Sequence, residues 1–182
     1  MLVFEKPGKE NTEDTLRLAL DHAKKMKTFL VVASTGGETA ALAARMTEKE
    51  GIPGKLIVVG SVPSKGEQKM KAEVLDMLRR RNVPVVFASH VLSGAERGLS
   101  TKMGGVYPVE IIAHSLRMLS QGVKVCVECS VMALDAGCLP FGEAIVAVGG
   151  TGHGADTACV LTPAGANDIF NCKIHEILCK PY

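Results

Sequence analysis

Phe29-Leu30-Val31-Val32-Ala33 runs straight into Ser34-Thr35-Gly36-Gly37-Glu38-Thr39, and that into Ala40-Ala41-Leu42-Ala43-Ala44-Arg45-Met46. The first five residues are a short apolar run rich in β-branched side chains, the pattern of a strand buried on both faces. The third block has helical spacing and continues to Glu50, where Gly51 stops it and Pro53 follows. A strand that passes through a glycine turn into a helix is the repeating unit of an open α/β sheet. In such sheets ligands gather outside the carboxyl ends of the strands.

Working outward, the same alternation recurs. Thr12 to Lys27 reads as an amphipathic helix with Leu16, Ala19, Leu20 and Ala23 on one face. Leu56–Val59 is a second buried strand, Lys65–Arg81 a long helix, and Val85–Ala88 a third strand. Ser89 to Tyr107 is rich in Gly and Ser and reads as an irregular insertion over the sheet edge. Pro108 suits the first position of a helix running to about Ser120. Val123 to Ala136 alternates like a strand in its first half. Helical spacing of Val123, Cys126, Val127, Ser130, Val131 and Leu134, with Gly137 as a C-cap, favours a helix. Ala144–Val148 and Thr157–Leu161 are further strands, and Ile174–Cys179 a last strand near an edge. The order predicts a three-layer α/β fold: one mostly parallel sheet with helices on both faces, in a single domain over residues 1–182.

Composition narrows the partners. No apolar run reaches the ~20 residues that cross a bilayer, and Met1 to Asn11 resembles neither a secretory signal nor a transit peptide. A cytoplasmic protein without a membrane partner is expected. The net charge is +2, and the one basic cluster, Arg79-Arg80-Arg81, closes an expected helix, where cations are favourable. With no Trp and two Tyr to stack on bases, nucleic acid is not an expected partner. Cys126 and Cys129 have CxxC spacing but lie inside an apolar stretch, so they read as core thiols. No metal-ligand spacing stands out among the remaining side chains.

Two loops could carry chemistry. In Ser34-Thr35-Gly36-Gly37-Glu38-Thr39 a tight turn brings backbone N–H groups toward an anion, the next helix adds its N-terminal dipole, and Ser34, Thr35 and Thr39 add hydroxyls. The spacing is neither a Walker A loop nor GxGxxG, and a plain capping turn would use the same residues. The second loop, Gly149-Gly150-Thr151-Gly152-His153-Gly154-Ala155-Asp156-Thr157, holds four glycines within six residues (149–154), more than a hairpin requires. If its leading strand runs parallel to the first, both loops open on one edge. Ser89 and His90 follow the third strand and fall near that edge, where His90 and His153 could donate hydrogen bonds or act as acid or base. Arg97 and Lys102 could close over a phosphate, or simply be solvated. Asp156 reads as a turn-fixing residue, and Glu128 and Asp135, seven apart, share one helix face and need partners wherever that face is buried.

VVASTGGETA, KVCVECSVMALDAG and AVGGTGHGADTA together resemble the stand-alone proteins similar to the C-terminal α/β domain of pyruvate kinase, over nearly the whole chain. The resemblance implies phosphate contacts on Ser34, Thr35, Gly36, Gly37 and Thr39, with further ligand contacts on Gly150, Thr151 and Gly152. It also implies FMN as a bound ligand and a homo-oligomer. Pyruvate kinase activity is not expected of these residues, because its active site needs a (β/α)8 barrel of ~250 residues. The leading expectation is a binding module for a phosphate-bearing small molecule, FMN first, with candidate contacts at Ser34, Thr35, Gly36, Gly37, Thr39, Ser89, His90, Gly149, Gly150, Thr151, Gly152 and His153. The alternatives are a flavin-dependent oxidoreductase or other small-molecule enzyme, and an oligomeric interaction domain pairing through Ile174–Cys179.

Overall fold

A computed structural model describes every residue except Pro53, Ser64 and Lys65. Seven strands form one sheet: β1 (Leu2–Phe4), β2 (Leu30–Ala33), β3 (Leu56–Ser61), β4 (Val85–Ala88), β5 (Ile145–Gly149), β6 (Thr157–Thr162) and β7 (Lys173–Pro181). Their order across the sheet is β1-β7-β6-β5-β2-β3-β4. β2 pairs in parallel with both β3 and β5, and β3 with β4, while β6 runs antiparallel to its two neighbours. Among the described residues six α-helices accompany them: α1 (Thr12–Met26), α2 (Glu38–Lys49), α3 (Ala72–Arg80), α4 (Gly94–Met103), α5 (Pro108–Arg117) and α6 (Gln121–Asp135).

The apolar runs make central strands because both faces are covered. Val32, Val58, Val146 and Val148 point into a core shared with Leu16 and Leu20 of α1 and with Ala40, Ala43 and Ala44 of α2. Their neighbours Val31, Ile57, Ile145 and Ala147 point the other way, into a second core built on Val123, Cys126, Val127 and Val131 of α6. Successive strand residues therefore serve opposite layers, which gives the three-layer α/β architecture. Residues 123–135 are helical, as their spacing indicates, and Ala136 is the C-cap: α6 is buried along most of its length. No helix among the described residues is long and apolar enough to cross a membrane.

Four expectations are corrected. The helix expected from Lys65 starts at Ala72, with Lys71 extended before it; Ser64 and Lys65 lie outside the described residues. Met70 is buried although it precedes the helix, so the apolar spacing runs through the boundary without marking it. Ser89–Tyr107 is not irregular throughout but holds α4, whose Ser100 and Thr101 hydroxyls donate to the Arg97 carbonyl. Its glycines sit at the two ends (Gly94, Gly104) and once inside (Gly98), so helix formers fill the rest. The helix from Pro108 ends at Arg117, and Ser120 caps a new one by accepting the Val123 N–H at 3.0 Å. Finally, β7 is an edge strand only in part: β1, which its three residues did not reveal, covers its last three residues in parallel, with Leu2 opposite Cys179 and Phe4 opposite Pro181, and reaches none of Lys173–Leu178.

Candidate functional site

β2 and β5 are parallel neighbours, so the turns that follow them leave the sheet on the same edge. There they wall a cavity of about 280 Å³, with Ser34, Thr35, Gly36 and Thr39 on one side and Gly150, Gly152, His153 and Gly154 on another. The ends of β3 (Gly60, Ser61), His90 after β4, and Gln121, Val125 and Cys129 of α6 complete it. Gly37, Ser89, Gly149 and Thr151 are not on the wall.

In the first turn, Gly37 takes a φ of 100°, open to glycine and strained for other residues. A Cβ there would also lie 3.0 Å from Met70 Cγ and Val74 Cγ1, so the turn is pressed onto the approach to α3. Ser34 Oγ accepts the Ala40 N–H at 3.2 Å and thereby caps α2 from inside. The Thr35 and Ser61 hydroxyls meet at 3.1 Å. The N–H groups of Gly36, Gly37 and Thr39 donate to no atom of the described residues, which leaves a helix start with open donors. Glu38 turns outward: its carboxylate bonds its own backbone N–H and Lys71 at 3.1 Å, and these hold it below the usual carboxylate range.

The second turn is tied down by Asp156, fully buried, as expected of a turn-fixing residue. Its Oδ2 accepts the Thr151 N–H at 3.1 Å and the Gly8 N–H at 3.2 Å, and its Oδ1 accepts the Thr157 hydroxyl at 2.8 Å. The Thr151 amide is thus engaged within the protein. Thr12 Oγ1 accepts the Ala155 N–H at 3.0 Å, anchoring the loop to α1 as well.

The third wall has chemistry that spacing alone hardly announced. Glu128 is fully buried on α6. Its Oε2 accepts from His90 Nδ1 at 2.9 Å and from Lys124 Nζ, one helical turn earlier; its Oε1 accepts the Leu92 N–H at 3.0 Å. Burial pushes the Glu128 carboxyl up, but the hydrogen bonds from His90 and Lys124 outweigh it and leave it below the ordinary range. The Lys124–Glu128 spacing of four was visible in the sequence as an intrahelical pair; that both are buried was not. Cys129 reaches the cavity wall, yet burial and then the Glu128 charge push its thiol up to about 12, so it is a packing group. Cys126 is equally buried, and burial likewise raises its thiol. Arg97 lies 3.5 Å from Glu110 of α5, and neither it nor Lys102 lines the cavity. Asp135 serves a local turn, accepting the Ala166 N–H at 3.2 Å.

A family model described as the pyruvate kinase α/β domain matches residues 13–161, from α1 to the end of β6, and so takes in both turns. Among solved structures, the NH3-dependent NAD synthetase from Campylobacter jejuni subsp. jejuni, in complex with the nitrate ion, overlaps with a TM-score of 0.44 at 11% identity. That overlap covers 78% of this chain and 56% of the synthetase, so the chain spans little more than half of that protein's length.

Proposed function

The chain belongs to the pyruvate kinase α/β-domain family, and on that footing we propose that it binds a phosphate-bearing small molecule, FMN being the leading candidate. One observation carries the reading: the two glycine-rich turns face a single cavity at the carboxyl edge of the sheet, and one of them presents open backbone donors at a helix start. Such donors, backed by the helix dipole, suit an oxyanion. The volume, about 280 Å³, lies just under the usual range for a small-molecule pocket, roughly 300–1,000 Å³. It suits a phosphate and the carbons next to it, with the rest of a larger ligand extending toward the mouth. Gly36, Thr35 and Thr39 would hold the phosphate and the Gly150–Gly154 loop the adjoining part. A bound flavin would supply redox chemistry; the protein's own residues contribute binding and orientation.

The test is a comparison of FMN with riboflavin and glucose 6-phosphate, followed by calorimetry and flavin fluorescence. FMN should bind saturably, and riboflavin, lacking the phosphate, at least tenfold more weakly. Thr35→Asp puts a carboxylate at the anion position without straining the backbone, and should weaken FMN by at least tenfold with the melting temperature unchanged. Equal binding of FMN and riboflavin, or no saturable binding of any phosphate compound, would refute the proposal.

A further inference from the structure

We propose that the cavity takes up a proton together with its anionic ligand, and that His90 carries this proton with Glu128 as its positioning residue. The inference rests on the phosphate-site reading and goes beyond it by naming how the ligand's charge is met. No Lys or Arg lines the cavity among the described residues. The nearest cation on α6, Lys124, is buried and bonded to Glu128, so its charge is already matched. Backbone dipoles alone would face a dianion.

His90 can supply the missing charge because of how it is held. Ionised Glu128 has only lone pairs to offer, so the His90 nitrogen 2.9 Å away, Nδ1, must carry a hydrogen. In the neutral ring this leaves Nε2 bare, and a bare nitrogen cannot bond an anionic oxygen. Once Nε2 is protonated, the ring becomes a donor on both sides, one hydrogen to Glu128 and one free for the ligand. The group of Lys124, Glu128 and His90 is neutral before that step and carries one positive charge after it. Protonation and anion binding therefore favour each other, and by linkage each raises the affinity for the other.

The other titratable groups around the ring do not replace it. On α6, Cys129 is uncharged, its thiol pushed up to about 12. From α4 and α5, Glu96 accepts the Val109 N–H and Arg97 pairs with Glu110. His153, from the β5–β6 loop, lines the same cavity and is the one competitor for the proton.

Sulfate is the decisive probe, since it stays a dianion between pH 6 and 8.5 and adds no titration of its own. Its dissociation constant should rise with pH over that range, by up to tenfold per unit for one linked proton. In His90→Gln the slope should be flat. By nitrogen-15 NMR of the imidazole rings, saturating sulfate should move the His90 titration to higher pH and leave His22, His114 and His175 in place. Glu128→Gln, with Lys124 no longer neutralised, should move it to lower pH. Should that variant fail to fold, His90→Gln and the wild-type ring titration decide alone. If sulfate and FMN bind with pH-independent affinity, proton uptake is refuted while the phosphate site stands. A slope that survives in His90→Gln and disappears in His153→Gln refutes the assignment to His90. If neither sulfate nor FMN binds, the site itself is gone and this inference falls with it.

Discussion

Lys124→Met should cost the protein a large part of its stability, and the cost should depend on pH in a particular direction. Lys124 is 5% exposed and Glu128 0%, and their bond lies beneath the second core. Methionine fits the space but strands a buried carboxylate, which typically costs about 3–5 kcal/mol. For a domain of this size each kcal/mol lowers Tm by about 2–4 °C, so a drop of roughly 6–20 °C is expected. In the native protein the Glu128 carboxyl sits below its ordinary 4.5, so it contributes stability above that value, lost as the pH falls through the lower folded one. In the variant the lysine is gone and burial pushes the carboxyl up, with His90 and the Leu92 N–H left to oppose it. The penalty is then full at pH 7–8, where the carboxylate is forced to be charged, and shrinks toward pH 4 as it takes a proton. Urea unfolding followed by circular dichroism at pH 7.5, 6 and 4.5 measures this directly. A loss under about 1 kcal/mol at pH 7.5 would mean that the pair is solvated, contrary to its burial. A loss that is the same at all three pH values would refute the carboxylate as its source.

Three more outcomes follow from packing. In Gly122→Ala the added Cβ would overlap the Thr157 side chain and sit 3.0 Å from Asp156 Oδ1, so α6 must lift from β6; urea midpoints should report a loss at or above the usual overpacking cost of about 1–3 kcal/mol. Iodoacetamide at pH 8 should modify half-buried Cys138 in the native protein and spare Cys126 and Cys129 until denaturant is added, as peptide mass spectrometry would show; rapid native labelling of Cys129 would contradict a thiol pushed up to about 12. Deleting residues 1–5 strips β1 from Cys179–Pro181 and lengthens the edge left open along Lys173–Leu178, so light scattering should reveal concentration-dependent association beyond that of the intact chain.

Much of the fold was legible because its central strands are buried on both faces. FLVVA and its counterparts are apolar without alternation, and a strand of that kind needs a helix layer on each side. The failures cluster where a residue's neighbour in space is far away in sequence. β1 is three residues, two of them exposed, and is a strand only because β7 lies beside it. Met70 extended the apparent helix because burial, which periodicity reports, does not require helical backbone. In Ser89–Tyr107 the glycine count suggested a loop, whereas Gly94 and Gly104 mark the ends of α4, Gly105 follows it, and only Gly98 lies inside.

The site divides along the same line. The two turns could be paired from topology alone, since the edge on which a loop leaves a parallel sheet follows from strand direction. What could not be read was which of their groups remain available once the protein has satisfied itself. Asp156 accepts the Thr151 amide N–H and Ser34 Oγ accepts that of Ala40, so part of the hydrogen-bonding capacity of both turns is used within the protein. Conversely, Glu128 looked like a burial problem in want of a partner, and its partners turn out to include a wall of the cavity. The buried carboxylate, bonded to Lys124 as well, fixes which nitrogen of His90 holds the hydrogen. Under the proposed proton uptake the cavity gains a positive charge when an anion arrives, which would favour ligands carrying a full dianionic phosphate over neutral analogues of the same shape.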